Sequence, residues 1–140
     1  MVVRVKLRIK GKGKDVETSA LVNSVFEAVK PQLVIPLNLA ETLNLTSLEM
    51  DIEDFDVAGG GKVSGYRIRE NLKVELVVED RNPVEVEVLA TALPREKEVI
   101  ISDYLASSLG IVILDPRKGE WCLQDEVGLK RRPSTQLKEW

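Results

Sequence analysis

Val3, Val5, Leu7 and Ile9 alternate without a break with Arg4, Lys6, Arg8 and Lys10. A period of two puts the first set on one face of an extended strand and the second on the other, so this stretch lies on a core as a strand and not as a helix. Gly11-Lys12-Gly13-Lys14-Asp15 turns the chain, and a second strand from about Val16 to Val22 pairs back as a hairpin. The alternation returns in Leu72, Val74, Leu76 and Val78, crosses a turn at Glu79-Asp80-Arg81-Asn82-Pro83, and continues in Val84, Val86, Val88 and Ala90. Ile111 to Leu114, a turn over Asp115 to Gly119, and Glu120 to Leu123 make a third hairpin. The pattern predicts a mainly β protein.

With 140 residues the chain has the length of one domain. Charged residues make up 31% and hydrophobic ones 44%, a globular balance, and a net charge of -3 gives no reason to expect a nucleic-acid partner. Cys122 has no second cysteine to pair with, and no signal-peptide core or long apolar run is visible, so the expectation is a cytoplasmic protein with no membrane association. Asn44-Leu45-Thr46 fits the glycosylation pattern, which has no use in that setting. Histidine is absent, which excludes Ser-His and Cys-His nucleophile pairs and every His-bearing metal site. The expectation is no metal and no cofactor. Abundant Lys, Glu and Val with only three Gln hints at a thermophilic source.

Two stretches depart from alternation and match each other. Val34 to Leu45 lies over Ile100 to Ile111 at a constant offset of 66 residues, with Leu39/Leu105, Ala40/Ala106 and Leu43/Leu109 identical. Each reads as a buried strand followed by a short helix with one apolar face, stopped by a residue that tolerates the left-handed conformation, Asn44 or Gly110. Pro36 suits a first helical turn, and Ser102 is placed to cap the second helix with Asp103 in its first turn. Either two short apolar helices coincide, or the domain carries an internal pseudo-twofold, which is the sharper expectation.

The order of these segments resembles that of the retropepsin-like aspartic peptidases. Ala20-Leu21-Val22-Asn23-Ser24 is similar to the strand that ends in that family's Asp-Thr-Gly, and Leu33-Val34-Ile35-Pro36 with Leu39 to Leu45 is similar to its V-I-P and LAE-x-L-G-L segments. Val99 to Leu105, Leu109-Gly110-Ile111 and Leu114-Asp115-Pro116 resemble its closing section. The resemblance covers roughly residues 3 to 123. It implies an all-β fold, a closed acid-protease barrel with one or two short helices over residues 1–123, followed by a C-terminal extension over 124–140. It further implies a homodimer whose two chains share one cleft for a peptide or protein ligand.

The signature triplet is altered, because Asn23-Ser24-Val25 stands where the resemblance calls for Asp-Thr-Gly. Peptide hydrolysis of this kind needs two carboxylates about 3 Å apart that share one proton. A carboxamide has a donor and an acceptor but no proton that titrates in the working range. Losing a positioned base removes a factor of about 10²–10⁴, and a symmetric pair would lose both partners. Val25 disfavours the positive φ that glycine permits, so the loop is expected to be reshaped. Ser102 replaces a second glycine of the resemblance, and Ser24 keeps the hydroxyl of its threonine. No catalytic residue is therefore expected, and Asn23 reads more simply as a strand-end amide that satisfies backbone groups. The competing reading is an active endopeptidase using another acid, with Asp103 the nearest candidate.

Ala58-Gly59-Gly60-Gly61-Lys62-Val63-Ser64-Gly65 falls where the family has the hairpin flap over its cleft, and it reads equally well as an ordinary glycine-rich turn. It fits neither a phosphate-binding loop nor a dinucleotide fingerprint. Asn23, Ser24, Gly59, Gly60, Gly61, Ser102 and Asp103 are thus the candidate cleft residues. Asp51, Glu53, Asp54 and Asp56 do not have calcium-loop spacing and read as a solvated acidic loop. Lys10, Lys12, Lys14 and Lys130-Arg131-Arg132 read as solvated. Trp121 reads as a core anchor and Trp140 as a tail anchor, and residues 124–140 as a loosely packed extension able to reach a partner subunit.

Overall fold

A computed structural model describes residues 2–56 and 60–140 of the chain. Strand β1 (Arg4–Lys10) pairs antiparallel with β2 (Asp15–Val22) from Arg4↔Leu21 to Lys10↔Asp15, and it sends Val5, Leu7 and Ile9 inward as the alternation predicts. β3 (Gln32–Pro36) leads into helix α1 (Leu37–Thr42), and a single 3-10 turn over Leu45–Ser47 precedes a hairpin of β4 (Met50–Asp56) and β5 (Lys62–Ile68). β6 (Leu72–Leu76) and β7 (Glu85–Leu93) form the second predicted hairpin. β8 (Val99–Ile101) leads into α2 (Asp103–Ser108), and β9 (Ile111–Asp115) with β10 (Glu120–Leu123) make the third hairpin as a separate two-stranded sheet.

Six strands close into a barrel in the order β1-β2-β8-β3-β7-β6. Two of its seams are parallel: β2 runs beside β8 from Ala20↔Val99 to Val22↔Ile101, and β3 runs beside β7 from Gln32↔Leu89 to Pro36↔Leu93. β3 and β8 meet antiparallel at Leu33↔Ile101 and Val34↔Ile100. The interior is filled by Leu7, Ile9, Leu33, Ile35, Ile101 and their neighbours, all withdrawn from water, each such side chain stabilising by about 1.5–3 kcal/mol. Among the described residues no helix is long and apolar enough to cross a membrane.

The matched stretches fold alike. α1 and α2 are six residues each at the same 66-residue offset, both bury the Leu-Ala pair at their centre, and the chain leaves both through a left-handed residue, Asn44 at φ 60° and Gly110 at φ 77°. Ser102 caps α2, its hydroxyl accepting the Leu105 N–H at 3.1 Å, whereas Pro36, which ends β3 just before α1 instead of entering its first turn, has no side-chain acceptor and α1 goes without a side-chain cap.

Three expectations about surface charge and the tail are corrected. Residues 51–54 are not a loop but part of β4, with Asp51 paired to Arg69, Glu53 to Arg67, and Asp54 accepting from the Ser64 hydroxyl; the Asp56 side chain lies outside the description. Lys10 is not merely solvated, for it bridges Glu75 at 2.7 Å and Glu85 at 2.5 Å. The tail is not loose. Arg132 is buried, exchanges backbone hydrogen bonds with Trp121, and holds Glu126 through Nε and Nη2 at 2.9 and 2.7 Å and Asp80 through both terminal nitrogens. Farther along, Thr135 N–H donates to the Arg4 carbonyl, Lys138 N–H to the Ser19 hydroxyl, and the Trp140 indole to the Thr18 hydroxyl. Residues 132–140 thus strap across the barrel's own β1 and β2. Trp121 sits in the core and Trp140 fastens the tail, as expected.

Candidate functional site

Asn23 is the first residue beyond β2, and the parallel seam with β8 places it beside the end of that strand, where its N–H donates to the Ile101 carbonyl. The chain then turns at once. Phe26 N–H returns to the Asn23 carbonyl at 3.1 Å, and the Asn23 side-chain oxygen accepts Val25 N–H at 3.0 Å. Because an N–H can only donate, the acceptor is Oδ1 and the orientation of the amide follows. The turn closes without any positive φ, as a β-branched Val25 requires.

The next residues lock this loop to the start of α2. Asp103 N–H donates to the Phe26 carbonyl at 2.9 Å, and Asp103 Oδ1 accepts Ala28 N–H at 3.0 Å and Tyr104 N–H at 2.6 Å. Ser102 is fully buried, and its hydroxyl accepts Gln32 N–H at 3.1 Å besides Leu105 N–H. The strand-end residues Asn23, Ser24 and Val25 and the helix-entry residues Ser102 and Asp103 are therefore one bonded unit. Ser24 and Val25 face water, Val25 being 83% exposed, and Val29 farther along the same loop is 87% exposed. Among the described residues the Ser24 hydroxyl has no partner within the chain. Gln32 and Phe26, which bond to Ser102 and Asp103 through their backbones, carry no side-chain signal by which sequence reading could find them.

The registers give the pseudo-twofold a second consequence. Val99 and Leu33 correspond across the 66-residue offset, and they pair in parallel with Ala20 and Ala90. Counting on three residues, the counterpart of Asn23 is Leu93, the last residue of β7. One barrel thus presents one polar strand end and one apolar strand end.

Gly60 and Gly61 lie between β4 and β5, Gly60 in the left-handed region at φ 84°, while Ala58 and Gly59 lie outside the described residues. The β4–β5 hairpin is joined to the barrel through Tyr66↔Ala92 and Arg67↔Thr91 of β7 and leaves Ile52 at 74% exposure. Among the described residues no hydrogen bond joins the glycine turn to the Asn23 loop. A shallow recess between Lys62-Val63-Ser64 and Leu93 to Glu96 runs between the hairpin and the apolar strand end.

Among the described residues no group of three or more Cys, Asp or Glu is placed to hold a metal ion. The carboxylates with shifted acidity lie elsewhere: hydrogen bonds from Arg132 and then Lys130 hold Asp80 well below the usual range, and those from Lys10 and Arg8 lower Glu75. Compared with known proteins, the chain matches no family model and no curated sequence.

Proposed function

We propose that this protein is a non-catalytic member of the retropepsin-like aspartic-peptidase fold that works as a homodimeric peptide-binding or interaction module. One observation carries the reading: the strand end where the resemblance calls for an acid bears a carboxamide whose oxygen is already occupied by Val25 N–H. The closed barrel, the repeated strand-helix units and the glycine-tipped hairpin support the likeness of fold. Val25 and Val29, apolar and almost fully in water on the loop that follows Asn23, support a face that meets another chain.

The competing endopeptidase reading needs Asp103 as its acid. That carboxylate accepts the Tyr104 N–H beside it and the Ala28 N–H of the loop that follows β2, which fits a structural role at the first turn of α2. Freshly prepared protein incubated with a mixed peptide library at about pH 4, where such acid pairs work, is expected to bind peptides and cleave none. Hydrolysis by the unaltered chain overturns the reading, and hydrolysis confined to Asn23→Asp supports it. Sedimentation is expected to show a dimer; a monomer at high concentration removes the shared cleft.

A further inference from the structure

The chain has five asparagines, and their neighbours divide them sharply: Asn38, Asn44 and Asn71 precede leucine, Asn82 precedes proline, and Asn23 alone precedes a small residue, Ser24. An asparagine loses its amide when the backbone nitrogen of the next residue attacks its side-chain carbonyl carbon. A bulky following side chain obstructs that approach, and proline, with no N–H, forbids it. Asparagine is accordingly among the heat-labile residues.

Local structure sharpens the contrast. Asn38 is held in α1, with its carbonyl accepting from the Thr42 hydroxyl, and Asn44 is fixed in a left-handed cap with its amide toward the Lys12 carbonyl. Asn23 lies outside any helix or strand. Its neighbour Ser24 is exposed, and among the described residues the Ser24 N–H makes no hydrogen bond, the turn's two bonds coming from Val25 and Phe26 instead. No hydrogen bond within the described residues therefore has to break before the attacking nitrogen gives up its proton. The bond from Val25 N–H to Oδ1 draws electron density from the carbon to be attacked.

We propose that Asn23 is a self-modification site at which the protein converts its strand-end carboxamide to a carboxylate through the Ser24 backbone nitrogen. Ser24 N bonds to Asn23 Cγ and gives its proton to water or hydroxide. The Cγ–Nδ2 bond breaks, and the nitrogen leaves as ammonia with a proton from solvent. Water then opens the resulting succinimide at either carbonyl, giving aspartate or its isopeptide isomer. One water is consumed, one ammonia is released, and nothing is oxidised or reduced. The chemistry at Asn23 stands on the local structure alone. Its consequence for activity rests on the reading given under Proposed function, for the product places an acid at the strand end where that fold would use one.

The test holds the whole protein in warm, mildly alkaline buffer and follows intact mass, released ammonia and peptide maps. The expected result is an amide-to-acid mass gain at one residue per chain, located at Asn23 as aspartyl and isoaspartyl forms, with Asn38, Asn44, Asn71 and Asn82 intact. The inference is overturned if Asn23 remains an amide for as long as a free peptide of residues 20–28 takes to convert, or if another asparagine converts first. Ser24→Leu, at an exposed position, is expected to keep the native circular-dichroism spectrum and lose the conversion; conversion at the parent rate in this variant also overturns it. Conversion at Asn23 together with an inactive Asn23→Asp variant supports the inference and defeats the aspartic-peptidase reading of the site. An active Asn23→Asp variant beside an unconverted Asn23 does the reverse.

Discussion

Ser102 and Gln32 are hydrogen-bonded to each other twice, Gln32 N–H donating to the Ser102 hydroxyl and Ser102 N–H to the Gln32 carbonyl, each at 3.1 Å. The same hydroxyl caps α2, so a single buried oxygen joins the entry of β3 to the start of the helix that follows β8. Ser102→Ala strands two N–H groups and is expected to lower stability by about 1–3 kcal/mol, read as a fall in the urea midpoint at unchanged slope. No loss of stability would show that water replaces the hydroxyl.

Gly110 and Gly119 have nearly equal φ, 77° and 71°, in different surroundings. A methyl group at Gly110 would meet only the Leu123 side chain at 3.8 Å, so Gly110→Ala is expected to cost the left-handed penalty alone, about 1–2 kcal/mol. At Gly119 it would come within 2.8 Å of the Ser134 hydroxyl, which itself bonds the Gly119 carbonyl. Gly119→Ala is expected to cost more and to free residues 133–140 for proteolysis, whereas Gly110→Ala leaves them protected. Equal protection in the two variants would refute the difference.

Arg132→Leu removes the guanidinium that joins Glu126 to Asp80 and lies 5.7 Å from the centre of the Trp121 ring. The Arg132–Glu126 pair is largely shielded, with side-chain exposures of 10% and 12%. Its loss is expected to cost about 1.5–3 kcal/mol, the range for hydrogen bonds between charged groups, and to shift tryptophan emission toward the red. Unchanged emission would show that the tail stays seated without it.

Acid is expected to act on the same cluster. The hydrogen bond from Arg132 holds Glu126 at about 2, against an ordinary glutamate value of 4.5. A carboxyl that binds its proton more weakly in the folded chain stabilises the fold fully above its unfolded value and loses that contribution as pH falls toward the folded one. Asp80, lowered by Arg132 and Lys130, follows the same sign. The melting temperature should therefore drop as pH falls from 4.5 to about 2, and Arg132→Leu should flatten the drop. Parallel curves for the two proteins would assign the acid sensitivity elsewhere.

Local order was legible in the sequence where one face meets the core. β1, β6 and β7 were readable because Val5, Leu7, Ile9, Val74 and Val88 alternate with charges, and both helices because Asn44 and Gly110 mark their ends. β4 was hidden because its alternation is inverted: Asp51 and Glu53 lie on the half-covered side beside Arg69 and Arg67, while Ile52 faces water. The parallel seams could not be read, since local periodicity does not encode which distant strand lies alongside. Arg132 looked like a solvated cation because what buries it, the backbone pairing with Trp121 and the Asp80 carboxylate 52 residues away, is tertiary, and the nearby Glu126 shows no partner by spacing alone. Of the candidate site, Asn23 was found from the place the resemblance gives it and Ser102 and Asp103 from their types at a helix start, while their bonds to Gln32 and Phe26 run through backbone atoms that any residue supplies.

Closure of the barrel leaves β4 as the one strand of the main sheet with a single neighbour, among the described residues. That rim bears Asp51, Glu53 and Asp54. Two copies brought rim to rim would have to strip water from these carboxylates and from the Arg69 and Arg67 that pair with Asp51 and Glu53, so the molecule carries a built-in deterrent to stacking into fibrils.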